Sequence, residues 1–148
     1  MMTITTHSAD ETKAFAAFLA SLLKGHELIF LEGILGAGKT TFTQGLGTGL
    51  QISERVNSPT FILMKEYEGQ HHLVHIDAYR LEGINQDLGF EDYLDGQSIV
   101  IIEWAKYIEH LIGQPDLRIT LELVEEDTRL IHIKAASELL KEIAQYEH

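Results

Sequence analysis

Ten residues from Gly33 to Phe42 read GILGAGKTTF, an order suited to holding a chain of phosphates. Gly33, Gly36 and Gly38 admit backbone conformations closed to other residues, so successive N–H groups can turn inward on an anion. Lys39 brings a positive charge to the outer phosphates, and the Thr40 hydroxyl is placed to ligate a magnesium ion bridging them. The pattern G-x-x-x-x-G-K-T is complete. It predicts binding of a nucleoside triphosphate. The plain alternative is a glycine-rich turn with an incidental lysine, and the flanking sequence argues against it.

Hydrolysis of a triphosphate needs two further groups, a second magnesium anchor and something to place the attacking water. IVIIE ends in Glu103 and LVHID ends in Asp77, each an acid at the carboxyl end of an apolar strand, where it could reach the metal directly or through water. The two compete for one description, and a surface acid at a strand end is the bland reading of either. NSPT, Asn57 to Thr60, raises a similar choice. Pro59 pushes Ser58 toward extended geometry, which suits a rigid turn. The functional alternative is a switch segment in which the Ser58 or Thr60 hydroxyl senses the terminal phosphate or its metal.

The elements that must carry these residues follow from periodicity. ELIFLEG is a short apolar run suited to a buried strand, and Lys39 opens a helix directly from the loop. Upstream, Ser8 and Glu11 form a capping-box pattern. Phe15, Phe18, Leu19, Leu22 and Leu23 then recur at helical spacing as far as Gly25, read as the C-cap. TFILMKEY and HHLVHIDAY flank EGQ as a hairpin. SIVIIEW is a further buried strand, followed by a helix from Ala105 to Ile112. LRITLELV and TRLIHIKA are two strands joined by the acidic turn EED, before a final helix capped by Ser137. The fold class expected is α/β, one mixed sheet covered by helices on both faces, in a single domain over residues 1–148.

Composition limits the partners. Eleven Lys and Arg face 23 Asp and Glu, a formal net charge of -12, the wrong sign for a chain that grips DNA or RNA by itself. There is no cysteine, hence no disulfide or thiolate chemistry. No apolar run is long enough to cross a bilayer, and MMTITTHSADE lacks the features of a signal peptide, so a soluble cytoplasmic protein is expected.

Four separated motifs, GILGAGKTTF, NSPTF, HIDAYRL and IIEW, occur in an order that resembles the TsaE family, also called YjeE. The likeness spans essentially the whole chain, and it is the combination of motifs that is specific. It implies a three-layer fold like that of P-loop NTPases. It also implies an ATPase of bacterial tRNA threonylcarbamoyladenosine biosynthesis that works with the TsaB–TsaD pair, TsaD being the subunit that transfers threonylcarbamoyl to adenosine 37 of ANN-decoding tRNAs. ATP turnover would reset that complex, and tRNA would be met only through it. By this resemblance Gly33, Gly36, Ala37, Gly38, Lys39, Thr40 and Thr41 hold phosphate, while Thr40 and Glu103 hold magnesium. Ser58 and Thr60 fall in a first switch-like segment, and Asp77, with Tyr79 and Arg80, in a second. Trp104 would lie near the nucleotide or the partner interface, a core tryptophan being the alternative. Arg129 matches a family arginine near the base end of the nucleotide, against the simpler reading of an exposed strand-end arginine. The chain departs from the family at Ile34, where an acid is usual, and at Ala78, where a larger apolar residue is common.

Rival readings remain. Small-molecule kinases share the loop but usually close an arginine-bearing lid, and the four arginines here, Arg55, Arg80, Arg118 and Arg129, are scattered. A GTPase would carry an NKxD-type motif, which is missing. A non-hydrolysing nucleotide sensor would bind a partner in its ATP form. His71, His72 and His75 suggest zinc, but in a strand His72 points away from the other two. The acids in EGINQDLGFEDYLDG read as a solvated face or a docking surface.

Overall fold

A near-continuous apolar run, presenting apolar residues to both faces, is what lets a strand sit at the centre of a parallel sheet. Leu28–Glu32 (β2) and Ile99–Glu103 (β5) have this character, and they pair in parallel with Leu31 opposite Glu103. The computed structural model describes residues 1–34, 36–54, 56, 64–83 and 89–146. Around the central pair lie Met2–Thr6 (β1), Met64–Tyr67 (β3), Leu73–Asp77 (β4), Leu117–Leu123 (β6) and Arg129–Lys134 (β7). The sheet has seven strands in the order β1-β7-β6-β2-β5-β4-β3. β6, β2, β5 and β4 are parallel, while β7 and β3 run antiparallel at the two sides and β1 pairs antiparallel with β7.

Each face of the sheet has its own core. Ile29, Leu31, Ile99, Ile101, Ile119 and Ile131 pack with Phe15 and Leu19 of helix Ala9–Leu22 (α1) and with Phe42 and Leu46 of helix Lys39–Gly49 (α2). Phe30, Val74, Ile76, Val100 and Ile102 face the other way, under Leu81, Ala105 and Ile108. The mixed α/β sheet with elements on both faces is thus as expected. The cover on the second face is lighter. Where a helix from Ala105 to Ile112 was expected, a 3-10 turn at Ala105–Tyr107 precedes a single α turn, Glu109–Ile112 (α3). The break follows from Ile108, which turns inward at φ -130 and is fully buried.

Several boundaries differ from the sequence reading. The Ser8 hydroxyl accepts the Glu11 N–H at 3.0 Å, half of a capping box, but the Glu11 carboxylate reaches back to the His7 N–H instead of that of Ser8. Gly25 does not cap α1: the helix ends on Leu23 in extended conformation. What stops it is Glu27, whose carboxylate accepts the N–H groups of Lys24, Gly25 and His26 at 2.8–3.1 Å. Burial pushes the Glu27 pKa up, but these donors outweigh burial and hold it below the ordinary carboxylate value. Ser137 is the first residue of the last helix, Ser137–Ile143 (α4), with Ala136 at the cap. β1 was not singled out in the sequence, although MTITT alternates and carries β-branched Ile and Thr; it pairs with β7.

α2 is intrinsically a poor helix, with three glycines and four threonines in KTTFTQGLGTG. Packing explains it. A Cβ on Gly45 would stand 2.5 Å from the Lys13 carbonyl oxygen, and one on Gly49 would stand 2.4 Å from that of Ala17. The glycines let α2 lie backbone to backbone on α1, and α2 is the element that carries the loop.

Candidate functional site

The loop leaves β2 at Glu32 and enters α2 at Lys39, at the carboxyl ends of the parallel strands. Gly33 packs so closely on β6 that a Cβ would lie 2.9 Å from the Leu121 carbonyl oxygen. Gly38 begins α2 in the left-handed region, φ 103 and ψ 20. A side chain there would be strained and would also meet Arg129. The result is a loop whose course is fixed on one side by β6 and whose end feeds the first, unpaired N–H groups of a helix, an arrangement that favours anions.

Lys39 is the hub of the far side. Its Nζ lies 3.8 Å from Glu103 Oε1 and 4.6 Å from the centre of the Trp104 ring. Glu103, at the end of β5, is buried, and its Oε2 stands 2.7 Å from His75 Nε2. Trp104 adopts φ 58, ψ 36, a left-handed conformation that costs a residue with a Cβ about 1–2 kcal/mol. That turn carries its ring over the lysine. Tyr107 stacks on it at 6.0 Å and Tyr79 meets it edge-on at 5.0 Å.

Asp77 ends β4 directly opposite Glu103 in the parallel register, so the two carboxylates share a face of the sheet. One Asp77 oxygen accepts the Tyr79 N–H at 3.0 Å, and the Ala78 N–H donates to the Glu103 carbonyl at 2.9 Å. Arg80 is exposed in the turn that follows. On the opposite side of the loop, the half-buried Arg129 donates from Nε to the Ala37 carbonyl oxygen at 2.9 Å, with Nη1 near the Glu126 and Thr128 carbonyls. Thr41, Gly38, Asp127 and Ser8 line a small pocket beside it. Arg129 is therefore tied to the loop backbone and is not a loose surface cation. Thr40 is exposed at the start of α2. Thr60 and Ser58 lie outside the described residues.

A cleft of about 350 Å³ opens next to Lys39, lined among others by Ile34, Trp104, Lys106, Arg118 and Thr120. Ile34 is 69% exposed and gives this cleft an apolar wall. Arg118 crosses it to Glu32 and Glu109, the latter at 3.1 Å. Burial lowers the Arg118 pKa, but its two carboxylates outweigh that and leave it raised.

These groups fit a magnesium–triphosphate pair. The loop offers backbone donors and a cation, and Thr40 and Glu103 offer hard oxygen donors of the kind magnesium takes. Among the described residues no cluster of three or more His, Cys, Asp or Glu could hold a metal alone. Phosphate and water oxygens would complete the set. The histidines are separately engaged: His72 with Ser98 at 2.7 Å, His75 with Glu103, and His71 beside Gly25. The sequence reading weighed His75 only as a zinc candidate and did not foresee its contact with Glu103, although its phase with Asp77 on an apolar strand was a usable signal. It also missed the Arg118 cluster, which left no local trace.

A mixed seven-stranded sheet with a parallel centre, helices against it and a glycine-rich loop between strand and helix defines an α/β protein. The family model "Threonylcarbamoyl adenosine biosynthesis protein TsaE" matches residues 6–131, and the chain belongs to that family. It is 40% identical over 148 residues to the tRNA threonylcarbamoyladenosine biosynthesis protein TsaE of Bacillus subtilis, covering 97% of this chain and 94% of the relative. The protein of the same name from Treponema pallidum is 32% identical, covering 89% and 99%. Among solved structures, the crystal structure of Bacillus subtilis YdiB superposes with a TM-score of 0.81 at 34% identity, covering 97% of this chain and 94% of that one.

Proposed function

We propose that this chain takes part in threonylcarbamoyladenosine synthesis as an ATP-binding and ATP-hydrolysing component, with magnesium, acting on a TsaB–TsaD complex that modifies adenosine 37 of ANN-decoding tRNAs. The observation that carries this is the meeting of Lys39, at the end of a complete phosphate loop, with Glu103 at the end of β5, in a member of the TsaE family. The N–H groups of Gly36 to Thr41 bind phosphate oxygens, and Lys39 turns from Glu103 to the outer phosphates. Glu103 and Thr40 hold the metal, which when bound withdraws charge from the phosphates under attack. Asp77, beside Glu103, orients the attacking water, with Thr60 on the switch side. Arg129 fixes the Ala37 carbonyl and so the neighbouring N–H groups.

Against phosphoryl transfer to a small molecule, Arg118 and Arg129 are both held by partners and neither stands on a lid. With a net charge of -12 the chain meets tRNA only through proteins, in the cytoplasm. No helix among the described residues is long and apolar enough to cross a membrane. The segment after Asp77 and the aromatic group around Trp104 would carry the phosphate state to those partners. The test is genetic: deletion should lower threonylcarbamoyladenosine in bulk tRNA, measured by mass spectrometry, and a Lys39→Ala copy should not restore it. Normal levels in a deletion strain with no second copy would defeat the proposal.

A further inference from the structure

A histidine in the middle of a buried strand is an expensive residue unless both ring nitrogens are satisfied. His75 lies between Val74 and Ile76 on β4 and is fully buried. Its Nδ1 has no hydrogen-bond partner among the described residues. All that the ring gains comes through Nε2, which lies 2.7 Å from Glu103 Oε2. Register makes the contact specific. His75 stands opposite Ile101 and Asp77 opposite Glu103, so His75 reaches Glu103 diagonally across two parallel strands, within range of a long side chain. The other carboxylate oxygen, Oε1, is the one 3.8 Å from Lys39 Nζ.

We infer that His75 is a positioning residue for the Glu103 carboxylate: a proton carried on Nε2 is donated to Oε2 and keeps Oε1 turned toward Lys39 and the phosphate loop. A buried glutamate has several rotamers, and one oxygen held from β4 leaves few of them. This rests on the reading of Glu103 as the metal-side acid. Partners behind a metal ligand typically matter at the 10–100-fold level in metal affinity.

The amide nitrogen of glutamine can stand in for Nε2, whereas that of asparagine mimics Nδ1. Both are buried amides, so a purely structural role would move His75→Gln and His75→Asn alike. ATP affinity, measured by calorimetry over a series of magnesium concentrations, should keep its wild-type magnesium dependence within about twofold in His75→Gln and need about tenfold more magnesium in His75→Asn. Equal effects in the two variants, or none in either, would overturn the inference. Should neither variant fold, ¹⁵N imidazole shifts of the unaltered chain decide: an Nε2–H tautomer supports it and an Nδ1–H tautomer defeats it. A wild-type chain that binds no ATP at any magnesium concentration would instead defeat the ATP reading. The imidazole spectrum, recorded without nucleotide, still judges the His75 contact.

Discussion

Arg129 Nε donates to the Ala37 carbonyl oxygen at 2.9 Å, joining the β6–β7 hairpin to the glycine-rich loop across 92 residues of sequence. Its Nη1 lies against the Glu126 and Thr128 carbonyls, so one guanidinium spans loop and hairpin. A lysine has no fork to do this. Arg129→Lys is therefore expected to weaken ATP binding in calorimetry although the charge is kept, and Arg129→Ala to lower stability by about 1–2 kcal/mol. Wild-type affinity in Arg129→Lys would show that the loop needs no such tie.

Lys39→Ala removes the loop's only side-chain cation and leaves the backbone cradle. ATP turnover is expected to fall by about 10²-fold or more, with binding much reduced, since a preorganised charge facing the phosphates is lost. Calorimetry and phosphate release check the two parts separately.

The loop was legible because its signals are local. Glycines at 33, 36 and 38, a lysine beginning a helix and an apolar strand before it all lie within a dozen residues. Strand ends were legible for the same reason, and Asp77 and Glu103 do end β4 and β5. Contacts that depend on register were not. His75 and Glu103 are 28 residues apart, and Arg118 and Glu32 are 86 apart. Helix ends failed where a side chain outcompeted a propensity: Glu27 ends α1 before the glycine that sequence favoured.

Gly45→Ala should destabilise the chain, against the usual helix-propensity gain of about 1 kcal/mol for this change. The new Cβ would lie 2.5 Å from the Lys13 carbonyl oxygen and 2.8 Å from the Ala16 Cβ, and neither is a flexible chain end. A loss of about 1–3 kcal/mol in denaturant melts is expected. A gain would mean that α1 and α2 separate freely.

Glu27 sets an acid limit on stability. Its folded pKa lies below the ordinary carboxylate value, because backbone donors outweigh the burial that raises it. Its contribution is thus present above the unfolded pKa and is lost as the pH falls through the lower folded one. Glu27→Gln should cost about 1.5–3 kcal/mol at pH 7 and flatten the decline in stability below pH 4.5. Melting curves between neutral and acid pH would show parallel declines if Glu27 had no such role.

The division between the two strand-end acids can be tested directly. Glu103 is buried, 3.8 Å from the loop lysine and held by His75, whereas Asp77 is half-buried and spends one oxygen on the Tyr79 N–H. The first environment suits a fixed metal ligand, and the second suits a group at the base of a segment that can rearrange. Glu103→Gln keeps shape but removes the charge a hard cation requires, so it should raise the magnesium needed for half-maximal turnover. Asp77→Asn should leave ATP affinity and magnesium dependence near wild type and slow hydrolysis, because only the water's orientation is lost. Rates measured against magnesium for both variants, with affinity measured separately, distinguish the roles. A raised magnesium requirement in Asp77→Asn with an unchanged one in Glu103→Gln would exchange the assignments.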